Sequence, residues 1–398
     1  MLTAATTPPR FATLVALTAL TTLTLNMFLP SLSGMARHFG VDYAAISFAI
    51  SGYLAVTAGL QLIIGPLSDR FGRRPVILVS LAIFLAASLV CATTDDVEIF
   101  LAFRLLQGAI VAGWGISLSV VRDTFGPRDA ASRLGFLSMA MSVMPMTGPL
   151  VGGVLDETFG WRANFLFYAG VAGGLLIVCW ADMGETNRNK SRSFLSQFRT
   201  YPTVLGSRRF WGFACCAAFS VGAFFAFLAG VPLVAVAHFG MSPSVLGICM
   251  GSITGGFLFG SFLSGRFSSR FPLAMMMVAG RLVACFGLTI GLVLVLSGTV
   301  DPILYFAATI CVGIGNGITN PSSNAGVMSV NPSLAGSAAG LSGAMTVGTG
   351  AVMSTLAGIL LTPQNAAAGL LALMLGATVV SLLAALVVMR AGPIEEPA

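Results

Sequence analysis

Gly65-Pro66-Leu67-Ser68-Asp69-Arg70-Phe71-Gly72-Arg73-Arg74-Pro75 puts four charges into eleven residues, between two apolar runs that carry none. Residues 45–64 upstream and 76–94 downstream hold no charged side chain. The same alternation of long apolar runs and short charged turns fills the 398 residues, which are 56% hydrophobic and 9% charged, with a mean hydropathy of +0.93. A soluble domain carries about 25% charged residues, so the solvent of this chain is largely lipid. Lipid offers no hydrogen bonds to the backbone, which makes each long apolar run a helix. The runs lack the alternating polarity of barrel strands.

Helices that cross a bilayer need roughly 20 apolar residues. The pattern predicts twelve: α1 (11–34), α2 (45–67), α3 (75–93), α4 (98–121), α5 (133–156) and α6 (162–181), then α7 (210–236), α8 (243–265), α9 (272–297), α10 (302–328), α11 (334–361) and α12 (366–389). A polar stretch separates the two sets. The expectation is an all-α membrane protein of two six-helix bundles, 1–181 and 210–398, joined by a cytoplasmic linker, 182–209. Short, polar Met1–Arg10 has no cleavage-site pattern, so the first run reads as a span and not a signal peptide. The seven cysteines lie inside apolar runs without a Cys-x-x-Cys pair and read as small packing residues.

Basic residues set the expected orientation. With the N-terminus in the cytoplasm, sixteen of the 20 Lys and Arg fall inside, only Arg37 and Arg162 fall outside, and Arg104 and Arg281 lie within spans. Both termini are then cytoplasmic. The net charge of +6 reflects this bias and does not point to a nucleic acid. The halves echo one another: RHFGVD after α1 against AHFGMS after α7, and SDRFGRR after α2 against SGRFSSR after α8. Parallel six-helix repeats place a substrate site near the bilayer midplane.

Several segments resemble known signatures. The Gly65–Pro75 stretch resembles the cytoplasmic signature loop of the major facilitator superfamily, with Gly65, Asp69, Arg70, Gly72, Arg73 and Arg74 in register. The resemblance implies a conformational latch. Asp69 can sit at the positive end of a neighbouring helix, and Arg73 can pair with Asp123 at the end of α4. The second-half copy has Gly265 in the place of Asp69. Arg104-Leu105-Leu106-Gln107-Gly108 resembles the superfamily's α4 motif. A charge at that depth costs ~2.5–3.5 kcal/mol on insertion scales, so it faces the bundle interior. Hydrogen bonds to α1 carbonyls and contact with substrate or protons are both open readings of Arg104. On α5, Pro145, Gly148, Pro149, Gly152 and Gly153 resemble the drug-exporter motif of the proton-antiporter branch, where proline bends the helix and glycine admits a neighbour. Gly251, Gly255, Gly256 and Gly260 of α8 are the expected complement. With RDTFG, GWRANF and AGSAAGL, the likeness covers nearly the whole chain and is to Bcr/CflA-type multidrug exporters.

One position departs from that family. Where its α1 carries an aspartate, this chain has Asn26, which keeps the hydrogen-bonding shape but cannot carry a proton. All fourteen acids fall near one membrane face or the other, and none is central. Thr18, Thr22 and Asn26, and likewise Asn316, Asn320 and Asn324, are spaced by four and share a face. Asn26, Asn316 and Asn320 of these stripes, with Tyr53, Gln61, Arg104 and Phe225, are the expected substrate pathway, although packing or lipid contact is the readier account of any one of Phe224, Phe225 and Phe227. His38 and His238 read as solvated loop residues.

The expected function is inner-membrane export of small amphipathic compounds by alternating access. The substrates expected are neutral, zwitterionic or anionic in preference to cationic, with the family's proton coupling weakened by Asn26. A facilitator or exchanger without protons is the alternative. Two histidines and no intramembrane acid argue against a membrane enzyme. No cofactor or metal is implied, and the resemblance implies a monomer.

Overall fold

Proline and glycine decide where these helices stop and break. The computed structural model describes residues 7–125, 127–187, 201–268, 270–298, 301–330 and 334–390. Arg188, Lys190, Arg192 and Arg199, among the sixteen basic residues expected inside, and the acids Glu395 and Glu396, also expected at the inner face, lie outside them. The helices are α1 Phe11–Phe39, α2 Tyr43–Phe71, α3 Arg73–Thr93, α4 Val97–Val121, α5 Pro127–Phe159, α6 Arg162–Asp182, α7 Arg208–Phe239, α8 Pro243–Phe267, α9 Leu273–Leu296, α10 Pro302–Ser329, α11 Ala335–Leu360 and α12 Ala366–Arg390. Eleven of those among the described residues are long and apolar enough to cross a membrane, and α5 is a further helix of 33 residues.

The chain forms two compact units, Met1–Ser196 with Ser242–Gly247, and Gln197–Met241 with Ile248–Ala398. In the first, α1 packs against α4, α5 and α6, and α3 against α6. In the second, α7 packs against α10, α11 and α12, and α9 against α10 and α12. The second unit's core at one end gathers Val204, Phe210, Phe213, Met277, Val327 and Val388. A Cβ at Gly326 would strike the Phe213 ring, so that glycine lets α10 close on α7. Large apolar side chains such as Phe286 (68% exposed) and Ile303 (79%) point outward, the inverse of a soluble protein.

Three expectations about the elements are corrected. First, α1 is not continuous: it stops at Asn26, passes through a 3₁₀ turn at Leu29–Ser31 and resumes at Leu32–Phe39. Pro30 has no N–H and its ring crowds the carbonyl four residues back, that of Asn26. Second, α2 runs through Asp69 and Arg70 to Phe71, so the turn before α3 is the single residue Gly72. Third, His38 and His238 lie in the last helical turns of α1 and α7 and not in loops. Both helices end on a left-handed glycine, Gly40 (φ +64°) and Gly240 (φ +58°), one turn later than hydropathy suggests. Within the stretch 182–209, residues 182–187 bond to the start of α3 in the first unit, and Tyr201–Leu205 is a short helix of the second.

Candidate functional site

The break in α1 creates the first polar centre. Helix geometry there no longer uses the Thr24 carbonyl, and two side chains take it up. Arg104 Nη2 donates to it at 3.0 Å and the Tyr168 hydroxyl at 3.3 Å. Arg104 also donates from Nε to the Ala49 carbonyl (3.2 Å) and from Nη1 to Gln107 Oε1 (2.5 Å), while Gln107 Nε2 donates to Ser88 Oγ at 2.7 Å. The Phe28 and Tyr53 rings flank the guanidinium, their centroids 4.4 and 4.3 Å from its carbon. Arg104 is fully buried, so each of these contacts replaces lost hydration. Gln107 lies in a 3₁₀ stretch, Gln107–Val111, that interrupts α4. A Cβ at Gly108 in that stretch would come within 3.1 Å of Val56 and 3.3 Å of Thr57 on α2.

Asn26, at the end of the first α1 segment, is 2% exposed. Its Nδ2 donates back to the Thr22 carbonyl at 2.8 Å, while its Oδ1 is buried without a donor. Arg104 therefore reaches Thr24 and not the Asn26 side chain. Thr18 Oγ1, two turns earlier on the same stripe, is a second buried oxygen without a partner. Gln61 on α2 is partly exposed. On α5, Pro145 and Pro149 take two donors out of the helix ladder. Gly148 faces Leu23 and Asn26, and a Cβ on Gly152 would collide with the Met27 carbonyl. Gly153 backs on Pro243 and Ser244, within the same unit. Of the α8 glycines, Gly256 and Gly260 face Ile310 and Ile314 of α10 and not α5, a Cβ on Gly255 meets open space, and it is Gly247 that lies against Pro149 of α5.

At the signature loop, Arg73 is the buried member. Its guanidinium pairs with Asp69 (2.6 Å) and Asp123 (3.3 Å) and donates to Ser68 Oγ. The N-terminus of α3 is capped by Glu185, from beyond α6, which accepts from the backbone N–H of Arg73 (2.9 Å) and of Arg74 (3.3 Å). The Arg74 guanidinium donates to the Met183 and Trp180 carbonyls, Asn187 Nδ2 donates to the Asp69 carbonyl, and Arg70 stacks over Phe71. Gly72 makes this possible. Its φ of +105° suits glycine alone, and a Cβ there would run into the Glu185 carboxylate. Gly65 lies one turn before Asp69, where its carbonyl accepts from Ser68 Oγ. Sequence reading missed Glu185, whose partners are 111 and 112 positions away. At the other end of this unit, Arg162 and His38 converge on Asp95, with Arg162 Nη2 2.5 Å and His38 Nε2 3.3 Å from Oδ1. These hydrogen bonds, the Arg162 one first, hold the Asp95 carboxyl below the usual carboxylate range.

The second unit has its own polar node. Arg281 of α9, fully buried, donates from Nε to Thr319 Oγ1 (3.0 Å) and from Nη2 to Asn316 Oδ1 (2.8 Å). Ser220 of α7 lies 2.8 Å from Asn316 Oδ1 and 3.0 Å from Asn320 Oδ1. Phe225 is packed against Gly350, where an added Cβ would strike its ring, and Phe227 is fully buried, whereas Phe224 is partly exposed. The importance of Arg281 was not read from sequence, though an arginine inside an apolar run was a sufficient signal. Every carboxylate among the described residues lies in a loop or in the first or last turn of a helix.

A family model described as Major Facilitator Superfamily matches residues 14–355. "Multidrug resistance protein D" of Escherichia coli (strain K12) is 29% identical over 384 residues, covering 92% of this chain and 93% of its own. A "Chloramphenicol resistance protein" of Pseudomonas aeruginosa is 28% identical over 67% of this chain and 64% of its own. Among solved structures, a bacterial homologue of the human lysosomal transporter Spinster, in an inward-facing and unoccupied conformation, superposes with a TM-score of 0.77 at 17% identity, covering 96% of both chains. That likeness shows the fold.

Proposed function

This chain belongs to the Major Facilitator Superfamily, and we propose that it exports small amphipathic compounds that are neutral, zwitterionic or anionic. It is a multi-pass transporter of the bacterial inner membrane, with multidrug exporters among its relatives. The observation that carries the charge preference is that carboxylates are confined to helix ends and loops while two guanidiniums, Arg104 and Arg281, are buried within spans. A path with that inventory repels lipophilic cations. Asn26, Tyr53, Gln61, Arg104, Phe225, Asn316 and Asn320 belong to the pathway in this reading, and the Asp69–Arg73–Asp123 cluster latches the inner side of the first unit. Both termini face the cytoplasm, and the protein works as a monomer.

Drug accumulation in an exporter-deficient host tests this. Expression is expected to lower the accumulation of chloramphenicol and to leave ethidium unchanged. Ethidium export that Asn26→Ala abolishes and anionic competitors do not affect would overturn it. Proton antiport fits the exporter relatives, whereas Asn26 favours transport without a proton. Proteoliposome flux separates the two: accumulation ratios that are equal with and without an imposed pH gradient exclude coupling.

A further inference from the structure

The two buried arginines are not equivalent. Arg104 has a hydrogen bond on each of its three nitrogens and two aromatic rings against its guanidinium, so no nitrogen is left without a partner. Arg281 has two hydrogen bonds, both to side-chain oxygens, and its Nη1 is buried with no partner at all. Nor is there a counter-charge beside it among the described residues of its unit. Asp301 is the one carboxylate among the described residues of the second unit, and it caps the start of α10, fifteen positions before Asn316. At 1.5 Å per residue that is about 22 Å along the helix.

The oxygens of Asn316, Thr319 and Asn320 beside Arg281 each already have a donor within reach. Asn316 Oδ1 takes the Arg281 Nη2 proton, and the single Ser220 hydroxyl proton is within reach of Asn320 Oδ1. What the node offers a further group is therefore donors: the Arg281 Nη1 protons and the amide NH2 groups of Asn316 and Asn320. Exposure rises along the same stripe, from Asn316 at 4% through partly exposed Asn320 to exposed Asn324. Positive charge, unused donors and a graded polar approach all favour the same ligand class.

We propose that Arg281, with Asn316 and Asn320, is an anion site within the second unit that takes the carboxylate of a transported amphiphile. Resting on the exporter reading, the inference assigns its anionic substrates to this node and leaves Arg104 as a positioning residue. A carboxylate entering along Asn324 and Asn320 would accept from the asparagine amides and then from Arg281 Nη1, neutralising a charge that the fold leaves unpaired.

Equilibrium binding of radiolabelled nalidixate, an amphipathic carboxylate, to purified full-length protein at pH 8 tests it, with chloramphenicol as the uncharged control. Wild type is expected to bind nalidixate saturably. Arg281→Gln should weaken that binding about 10- to 100-fold, the effect of losing one charged hydrogen-bond partner. Arg281→Lys should lose less, and chloramphenicol binding should stay within about twofold throughout. Asn320→Leu, which removes an amide of the site that does not bond the guanidinium, is the second variant should Arg281→Gln fail to fold, and it should also weaken nalidixate selectively. Unchanged nalidixate affinity in Arg281→Gln, equal loss of both probes, no saturable nalidixate binding by wild type, or complete displacement by chloride would each overturn the site. If cells expressing wild type export neither drug while the purified protein binds nalidixate through Arg281, the site stands and the exporter reading falls.

Discussion

Gly72→Ala should destabilise the first unit by about 2–4 kcal/mol, because two independent costs fall on one methyl group. The backbone at Gly72 has φ +105° and ψ 154°, a region that only glycine occupies comfortably. Holding alanine there costs roughly 1–3 kcal/mol. The new Cβ would also meet Glu185, whose carboxylate caps the first turn of α3 at the N–H groups of Arg73 and Arg74. Displacing that exposed cap adds about 0.5–1 kcal/mol, counting the hydrogen bonds and the helix-terminal charge together. For a unit near two hundred residues, about 2–4 °C per kcal/mol makes the expected fall in melting temperature roughly 5–15 °C. Thermal unfolding of the detergent-purified protein, followed by size-exclusion of a fluorescent fusion, measures it. The steric part has its own control: Glu185→Ala makes room for the methyl group, so the double variant should fall short of the summed single effects by about 1 kcal/mol. Gly72→Ala melting within a degree of wild type, or strict additivity in the double variant, would refute the account of this turn.

Other outcomes follow from the same geometry. Arg104→Ala leaves Gln107 Oε1 without its donor and the Thr24 carbonyl with Tyr168 alone, and at about 1–3 kcal/mol for the buried orphan, with the lost volume beside Phe28 and Tyr53 added, the yield of monodisperse protein should fall sharply. Unaltered yield and melting in that variant would show that the hub is dispensable. Asn26→Asp puts an ionisable group where the Asn26 amide oxygen is buried without a donor, and flux should acquire a pH dependence that wild type lacks. A flat flux–pH profile in the variant would remove α1 from consideration as a coupling site. The Asp95 clasp involves a carboxyl whose folded pKa is depressed by Arg162 and then His38, so its contribution is present above the unfolded value near 4 and is lost as pH falls through the folded value. Wild type should lose more thermal stability than Asp95→Asn between about pH 5 and pH 3; identical profiles would mean that the clasp is not coupled to folding.

Hydropathy, charge bias and the Gly65–Pro75 loop are local signals, and they were enough to determine the helical membrane class, the number of long helices and the family. Periodicity sees a helix wherever apolar residues run on. It therefore could not foresee the break after Asn26, which depends on one proline and on Arg104 and Tyr168 arriving from other helices to take the freed carbonyl. Nor could it rank two arginines that look alike in sequence. Every nitrogen of Arg104 has a partner because α1 and α2 supply carbonyls to it and Gln107 a side-chain oxygen, while Arg281 keeps an unpaired nitrogen because its neighbours on α7 and α10 are short polar side chains already bonded to one another. Glu185 had no legible role until folding brought it to α3 from over a hundred positions away. A sequence states which groups must avoid lipid; which partner each one meets is a matter of helix packing, and only the tertiary structure decides it.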